Sequence, residues 1–185
     1  MKRVLVPLAP GFEEVEALTV VDYLRRAGAH VVTASVGAAN PITGKHKIRV
    51  MADIDLPEAL AEWGDAFDLV VLPGGPGVKN LAASDTLMQL LRDRLAKGAP
   101  TAAICAAPTV LAAAGLDRKT RITSWPGSRP DLADFAAYAE DTVVRDGPIT
   151  TSRGPGTSVP FALALVAQLF GDEAAAELRA DTVSA

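Results

Sequence analysis

The chain is 185 residues long, enough for one well-buried core and short for two. Apolar residues make up 49% and charged residues 22%, an ordinary soluble balance, and a net charge of −4 with no sustained basic run excludes a dedicated nucleic-acid or anionic-membrane surface. One cysteine excludes an internal disulfide and no apolar stretch reaches membrane-spanning length, so the expectation is a single domain over residues 1–185 in the cytoplasm.

The first ten residues open with basic side chains and a short apolar run. Pro7 and Pro10 interrupt it and Glu13, Glu14 and Glu16 follow, so the run reads as a buried strand, Arg3 to Leu8, rather than a signal peptide. Val15, Leu18, Val21 and Leu24 recur at helical spacing over Glu14 to Ala27, closed by Gly28. His30 to Val36 is the next strand. Ile42 to Ile54 holds shorter extended pieces, a small hairpin or edge element around Gly44, and Pro57 opens a short helix ending near Gly64. Asp68 to Leu72 is the strongest strand, apolar enough to be buried on both faces. Ser84 caps a helix through Leu95, stopped by Gly98. A strand ending at Ile104 runs into a helix from Pro108 to Gly115, and a further strand is expected near Arg121 to Ser124. Trp125 to Ala139 is less regular, Thr142 to Ser152 reads as two strands about Asp146-Gly147, and helices follow over Val159 to Phe170 and Asp172 to Arg179. Strands alternating with helices imply an α/β fold with a mainly parallel sheet covered on both faces.

Leu72-Pro-Gly-Gly-Pro-Gly-Val-Lys-Asn80 invites a dinucleotide-binding reading, but Asn80 stands where the third glycine should be, which excludes it. Thr43-Gly-Lys-His46 lacks the glycine and hydroxyl that a phosphate loop needs. Gly74 and Gly75 lie just past the carboxyl end of the central strand, where open parallel sheets bind ligands, and their N–H groups could hold an oxyanion. Ser152-Arg-Gly-Pro-Gly-Thr-Ser158 is a rigid turn in which Thr157 or Ser158 caps the next helix and Arg153 either holds the turn or faces the pocket.

Cys105 sits where strand turns to helix, with Ala106 and Ala107 keeping the bend uncrowded. A thiol there points to a helix N-terminus, which stabilises a thiolate. Dipole complementarity accounts for Glu13 and Glu14; Glu16 lies at another angle and can reach the same sheet end, where burial would keep it protonated. Cysteine enzymes commonly pair the nucleophile with histidine, yet only His30 and His46 exist; His30 reads as solvated, and His46 lies in the edge region, from which it could reach a neighbouring subunit's pocket. Neither histidine has a helical partner for a metal, so no metal and no cofactor are expected.

Gly11-Phe-Glu-Glu-Val-Glu16, Asp68-Leu-Val-Val-Leu-Pro-Gly-Gly75, Ala102-Ala-Ile-Cys-Ala-Ala-Pro108 and Thr151-Ser-Arg-Gly-Pro-Gly-Thr157, in this order and spacing, resemble the DJ-1/PfpI superfamily, within the DJ-1-like branch of bacterial ThiJ/YajL-type proteins. The resemblance implies a flavodoxin-like three-layer sandwich and a homodimer. It implies Cys105 as the reactive elbow cysteine, Glu16 as the protonated glutamate touching it, and Gly75 and Ala106 as backbone donors to a substrate oxyanion. It also implies glutathione-independent glyoxalase chemistry on 2-oxoaldehydes, deglycation of their adducts, redox sensing or chaperone action. Ala106 stands where the peptidase-like branch has histidine, which argues against a peptidase, and Trp125 stands where some relatives carry a pocket histidine.

The expected function is therefore attack by a Cys105 thiolate on methylglyoxal, glyoxal or their adducts, with Gly74, Gly75, Ala106, Trp125 and Arg153 lining the substrate site. The alternative is an oxidative-stress-sensing chaperone in which Cys105 is reversibly oxidised, and a third possibility is a dimeric binding module without turnover.

Overall fold

A computed structural model describes residues 1–37 and 40–184. Its elements in chain order are β1 (Arg3–Leu8), α1 (Glu14–Arg26), β2 (His30–Ser35), β3 (Ile42–Thr43), β4 (Arg49–Val50), β5 (Ile54–Asp55), α2 (Leu56–Trp63), β6 (Leu69–Leu72), α3 (Val78–Ala82) and α4 (Asp85–Ala96). They continue with β7 (Thr101–Ile104), α5 (Pro108–Ala113), β8 (Val143–Asp146), β9 (Ile149–Ser152), α6 (Ser158–Phe170) and α7 (Asp172–Asp181). Seven strands form one sheet in the order β5-β2-β1-β6-β7-β9-β8, parallel except for β8, while β3 and β4 make a separate antiparallel hairpin. The mainly parallel sheet covered on both faces is what the alternating pattern predicts, and the flavodoxin-like sandwich is what the family resemblance implies.

The sheet is buried on both sides because its strands carry apolar residues in both alternating registers. Leu5, Val70, Leu72 and Ala103 pack with α2, α4 and α5 on one face. Val4, Val6, Leu69, Val71 and Ile104 pack with α1, α6 and α7 on the other. Among the described residues no helix is long and apolar enough to cross a membrane.

The chain leaves β1 toward β2 on one side and later returns to β6 on the other. This reversal opens a crevice at the carboxyl ends of β1, β6 and β7, the place where such sheets hold ligands. Short backbone hydrogen bonds lace the loops there: Glu13 N–H to the Gly74 carbonyl at 3.0 Å, and Gly77 N–H to the Gly11 carbonyl at 2.9 Å.

Three local expectations differ from the structure. The strand expected over 121–124 is reduced to a single bridge between Ile122 and Tyr138, because β9 already occupies the sheet position beside β7 and the Thr123 N–H turns to the Thr151 hydroxyl. The apolar stripe of α1 holds only in part: Val21 and Leu24 are buried as expected, but Val15 and Leu18 are exposed, whereas Glu14, Glu16, Ala17 and Val20 face inward. Ser84 caps α4 as expected, but Thr157 makes no side-chain cap on α6 and instead bonds Ser152 and the Gly154 N–H.

Candidate active site

Cys105 occupies the residue between β7 and the turn into α5. Its φ is +64°, a left-handed conformation that a non-glycine residue adopts only when its surroundings impose it. Two backbone bonds impose it here: Cys105 N–H to the Ser152 carbonyl at 3.0 Å, and Trp125 N–H to the Cys105 carbonyl at 2.8 Å. The strained elbow aims the half-buried thiol out over the sheet end.

Glu16 approaches from the first turn of α1 and is fully buried. Its Oε2 accepts the Gly74 N–H at 2.8 Å. Oε1 receives no N–H or O–H from the described residues, which leaves the carboxyl the Cys105 thiol as its other hydrogen-bonding neighbour. Gly74 makes this approach possible, since a Cβ there would lie 2.6 Å from the Cys105 Cβ and 2.7 Å from Glu16 Oε2. Gly75 has φ +81° and its own missing Cβ would meet the Gly11 carbonyl at 2.6 Å, so the turn admits only glycine.

Burial pushes the Glu16 carboxyl up to about 7, while bonds from Cys105 and the Gly74 N–H pull it back. Burial, and next the charge of Glu16, push the Cys105 thiol up to about 12 against the N–H groups of Gly75 and Ala106. Desolvation and the neighbouring carboxylate thus work against the thiolate that a helix N-terminus favours. Two acidic groups share this buried spot, and Glu16 is the one that changes charge near neutral pH.

Cys105, Gly75, Ala106 and Trp125 line a cavity of about 590 Å³ together with Glu13, Lys45, Pro76, Val78, Lys79, Thr109, Ser128, Asp131 and Pro155. Two residues expected in that lining lie elsewhere. Gly74 is buried beneath it and serves Glu16. Arg153 lines an adjoining hollow and donates to the Glu140 carbonyl at 2.7 Å, so it ties down the 140s instead of meeting the thiol.

Glu13 and Glu14 do more than complement the dipole of α1. Both are buried. Glu14 accepts the N–H of His46 at 2.7 Å and of Ile48 at 3.4 Å, clasping the β3–β4 turn, and Glu13 lies 3.4 Å from Lys45 Nζ on the cavity wall. His46 thus reaches carboxylates of its own chain, its Nδ1 3.1 Å from Glu14 and 3.5 Å from Glu13. These three offer ligand atoms within 4.8 Å of one another, a grouping that linear spacing does not reveal. Pro76, Val78 and Lys79 could have been anticipated as lining, since they closely follow the central strand. Lys45 and Asp131 come from segments without a pattern that points to the sheet end.

Comparison with known proteins agrees with this arrangement. A sequence model of the DJ-1/PfpI family matches residues 2–168. The chain is 41% identical over 179 residues to "Protein dj-1beta" of Drosophila melanogaster, covering 96% of this chain and 94% of that protein. The crystal structure of that fly protein superposes with a TM-score of 0.93 at 40% identity, over 100% of this chain and 98% of the other. The structure described as "Toxoplasma gondii DJ-1, oxidized" gives a TM-score of 0.92 at 34% identity, over the full length of both. The "Glutathione-independent glyoxalase DJR-1.2" of Caenorhabditis elegans is 33% identical over 174 residues, 93% of this chain and 91% of that one.

Proposed function

This chain belongs to the DJ-1/PfpI family, and from that premise we propose that it is a glutathione-independent glyoxalase acting on methylglyoxal, glyoxal and the adducts they form. One observation carries the reading: a strained, cavity-facing Cys105 whose hydrogen-bonding partner is the fully buried Glu16 carboxyl, which burial pushes up to about 7. The glyoxalase name of the nematode relative supports it.

The Cys105 sulfur attacks the aldehyde carbon of methylglyoxal while the Glu16 carboxylate takes the thiol proton, a role suited to a base with a value near working pH. The oxygen that gains charge is held by the Gly75 and Ala106 N–H groups. Glu16 then returns its proton to that oxygen, giving a neutral hemithioacetal. As a carboxylate again, it removes the C1 hydrogen as a proton and delivers it to C2, while the hydroxyl proton passes from the C1 oxygen to the C2 oxygen. C1 is oxidised and C2 reduced within one molecule, so no external redox partner is consumed. The product is a lactoyl thioester, and water hydrolyses it to lactate, restoring the thiol. Lactate formation from methylglyoxal without glutathione tests the scheme. Cys105→Ser is expected to lower it by at least about a thousandfold, and undiminished formation would refute the reading.

A second reading, reversible oxidation of Cys105 as a stress signal, is favoured by the oxidized state recorded for the Toxoplasma protein and by the opening of Cys105 onto the cavity. Mass spectrometry after mild peroxide separates the two, since an unmodified Cys105 alongside persistent aldehyde turnover excludes the sensor. We also take the protein to be a cytoplasmic homodimer. Val15 and Leu18 on α1 and Ile48 and Met51 around β4 are exposed, and Glu14 ties these two elements together, forming an apolar face of the kind that a second copy covers. Sedimentation should give twice the chain mass, and a Leu18→Glu variant that still sediments as the wild type does would exclude this face.

A further inference from the structure

We propose that Trp125 is a stacking platform through which this site selects 2-oxoaldehydes bearing a planar, uncharged, apolar group, an aryl group above all, over three-carbon aldehydes. This rests on the 2-oxoaldehyde reading above. A cavity of about 590 Å³ belongs to the range that encloses ligands much larger than methylglyoxal, which would occupy only the corner nearest Cys105.

The indole is built into place. It is 49% exposed, and it walls both the Cys105 cavity and the adjoining hollow of about 310 Å³. Two glycines make its seat: a Cβ at Gly127 would lie 2.6 Å from Nε1, and one at Gly154 would lie 3.4 Å from Cε3. Neither glycine has a left-handed backbone; at Gly154 the φ of 164° is plain extended chain. What both positions supply is the absence of a side chain behind the indole. The Trp125 backbone N–H donates to the Cys105 carbonyl at 2.8 Å, so the residue that carries the indole is held in register with the nucleophile.

The charges around the cavity point to an uncharged body. Among the lining residues Lys45 and Lys79 are matched by Glu13 and Asp131, so the wall carries no excess of positive charge to select a phosphate or carboxylate. Pro76, Val78 and Pro155 complete an apolar surface with the indole. Flat aromatic groups gain from such a face beyond their burial alone.

Rates of the full chain with phenylglyoxal and methylglyoxal, read as mandelate and lactate, give a ratio of kcat/KM values. Comparing this ratio between variants cancels the intrinsic reactivity of the two aldehydes. Trp125→Ala is expected to lower the aryl-over-methyl ratio roughly tenfold, and Trp125→Phe to keep it within about twofold. An unchanged ratio in Trp125→Ala overturns the platform. Should the wild type convert neither aldehyde, it is the 2-oxoaldehyde reading that fails, and binding then tests the platform. The chain has 2 tryptophans, so in a Trp63→Phe background Trp125 is the sole tryptophan, and its emission is read by excitation at the red edge where tyrosine does not absorb. Mandelate should then perturb its emission at a concentration about tenfold below that of lactate; equal or absent responses overturn the proposal.

Discussion

Two fully buried ionisable side chains sit at opposite ends of the sheet and are treated in opposite ways. At the amino ends of β6 and β7, Arg94 is enclosed yet richly partnered: Asp65 at 2.5 Å, the Phe67 carbonyl at 3.0 Å and the Pro100 carbonyl at 2.6 Å. At the carboxyl ends, Glu16 has, among the described residues, the Gly74 N–H on one oxygen and the Cys105 thiol as its other hydrogen-bonding partner. A paired buried charge holds loops in place, whereas an underpaired one has its proton affinity displaced and becomes reactive. The same degree of burial thus yields a clamp at one end and an acid–base group at the other.

Substitutions at the two ends should separate these roles. Arg94→Met removes the cation and leaves Asp65 and two carbonyls without it, which should lower stability by about 3–5 kcal/mol in urea unfolding, with kcat/KM of the folded fraction retained. Coupled losses of stability and activity would break the contrast. Glu16→Gln should do the reverse, lowering turnover by roughly 10²–10⁴-fold because an amide cannot accept the thiol proton, without lowering stability.

The pH dependence of stability is a further discriminator. The folded-state value of Glu16 is raised from 4.5 to about 7, so the folded protein binds a proton that the unfolded chain has released. Its contribution is fully present below pH 4.5 and is lost as pH rises through 7, a decline on the order of 3 kcal/mol. Unfolding midpoints measured across that window should fall with pH in the wild type and lose this slope in Glu16→Gln. kcat/KM should rise through the same region as the carboxylate forms. The smallest effect belongs to Lys97→Ala, which removes an exposed second partner of Asp65, 3.3 Å away, and should cost under about 1 kcal/mol. A larger cost would mean that the clamp extends to the surface.

Much of the frame is legible locally. Asp68 to Leu72 announces a two-sided strand through its apolar run, and β6 begins one residue later. The Cys105 elbow shows itself by a strand ending at Ile104, two alanines and Pro108. The five-residue α3 escapes because it is too short to display a period. The strand expected near Arg121 fails because sheet positions are allotted by competition among segments, and β9 holds the place beside β7. Val15 and Leu18 mislead for a related reason: spacing defines a stripe on α1, but the inward direction is set by Glu14 clasping the hairpin and Glu16 reaching Cys105.

The sequence by itself determines the alternation of strands and helices, the elbow cysteine and a carboxyl able to meet it, since each depends on near neighbours in the chain. Tertiary structure alone decides that burial raises the Glu16 carboxyl and the Cys105 thiol together, that Arg153 turns away and that Glu13 and Lys45 join the cavity wall. Ionisation follows desolvation and charge from residues brought in across the fold, from Glu16 to Gly74 and Cys105, and the shape of the cavity follows from loops that meet only when the sheet has assembled.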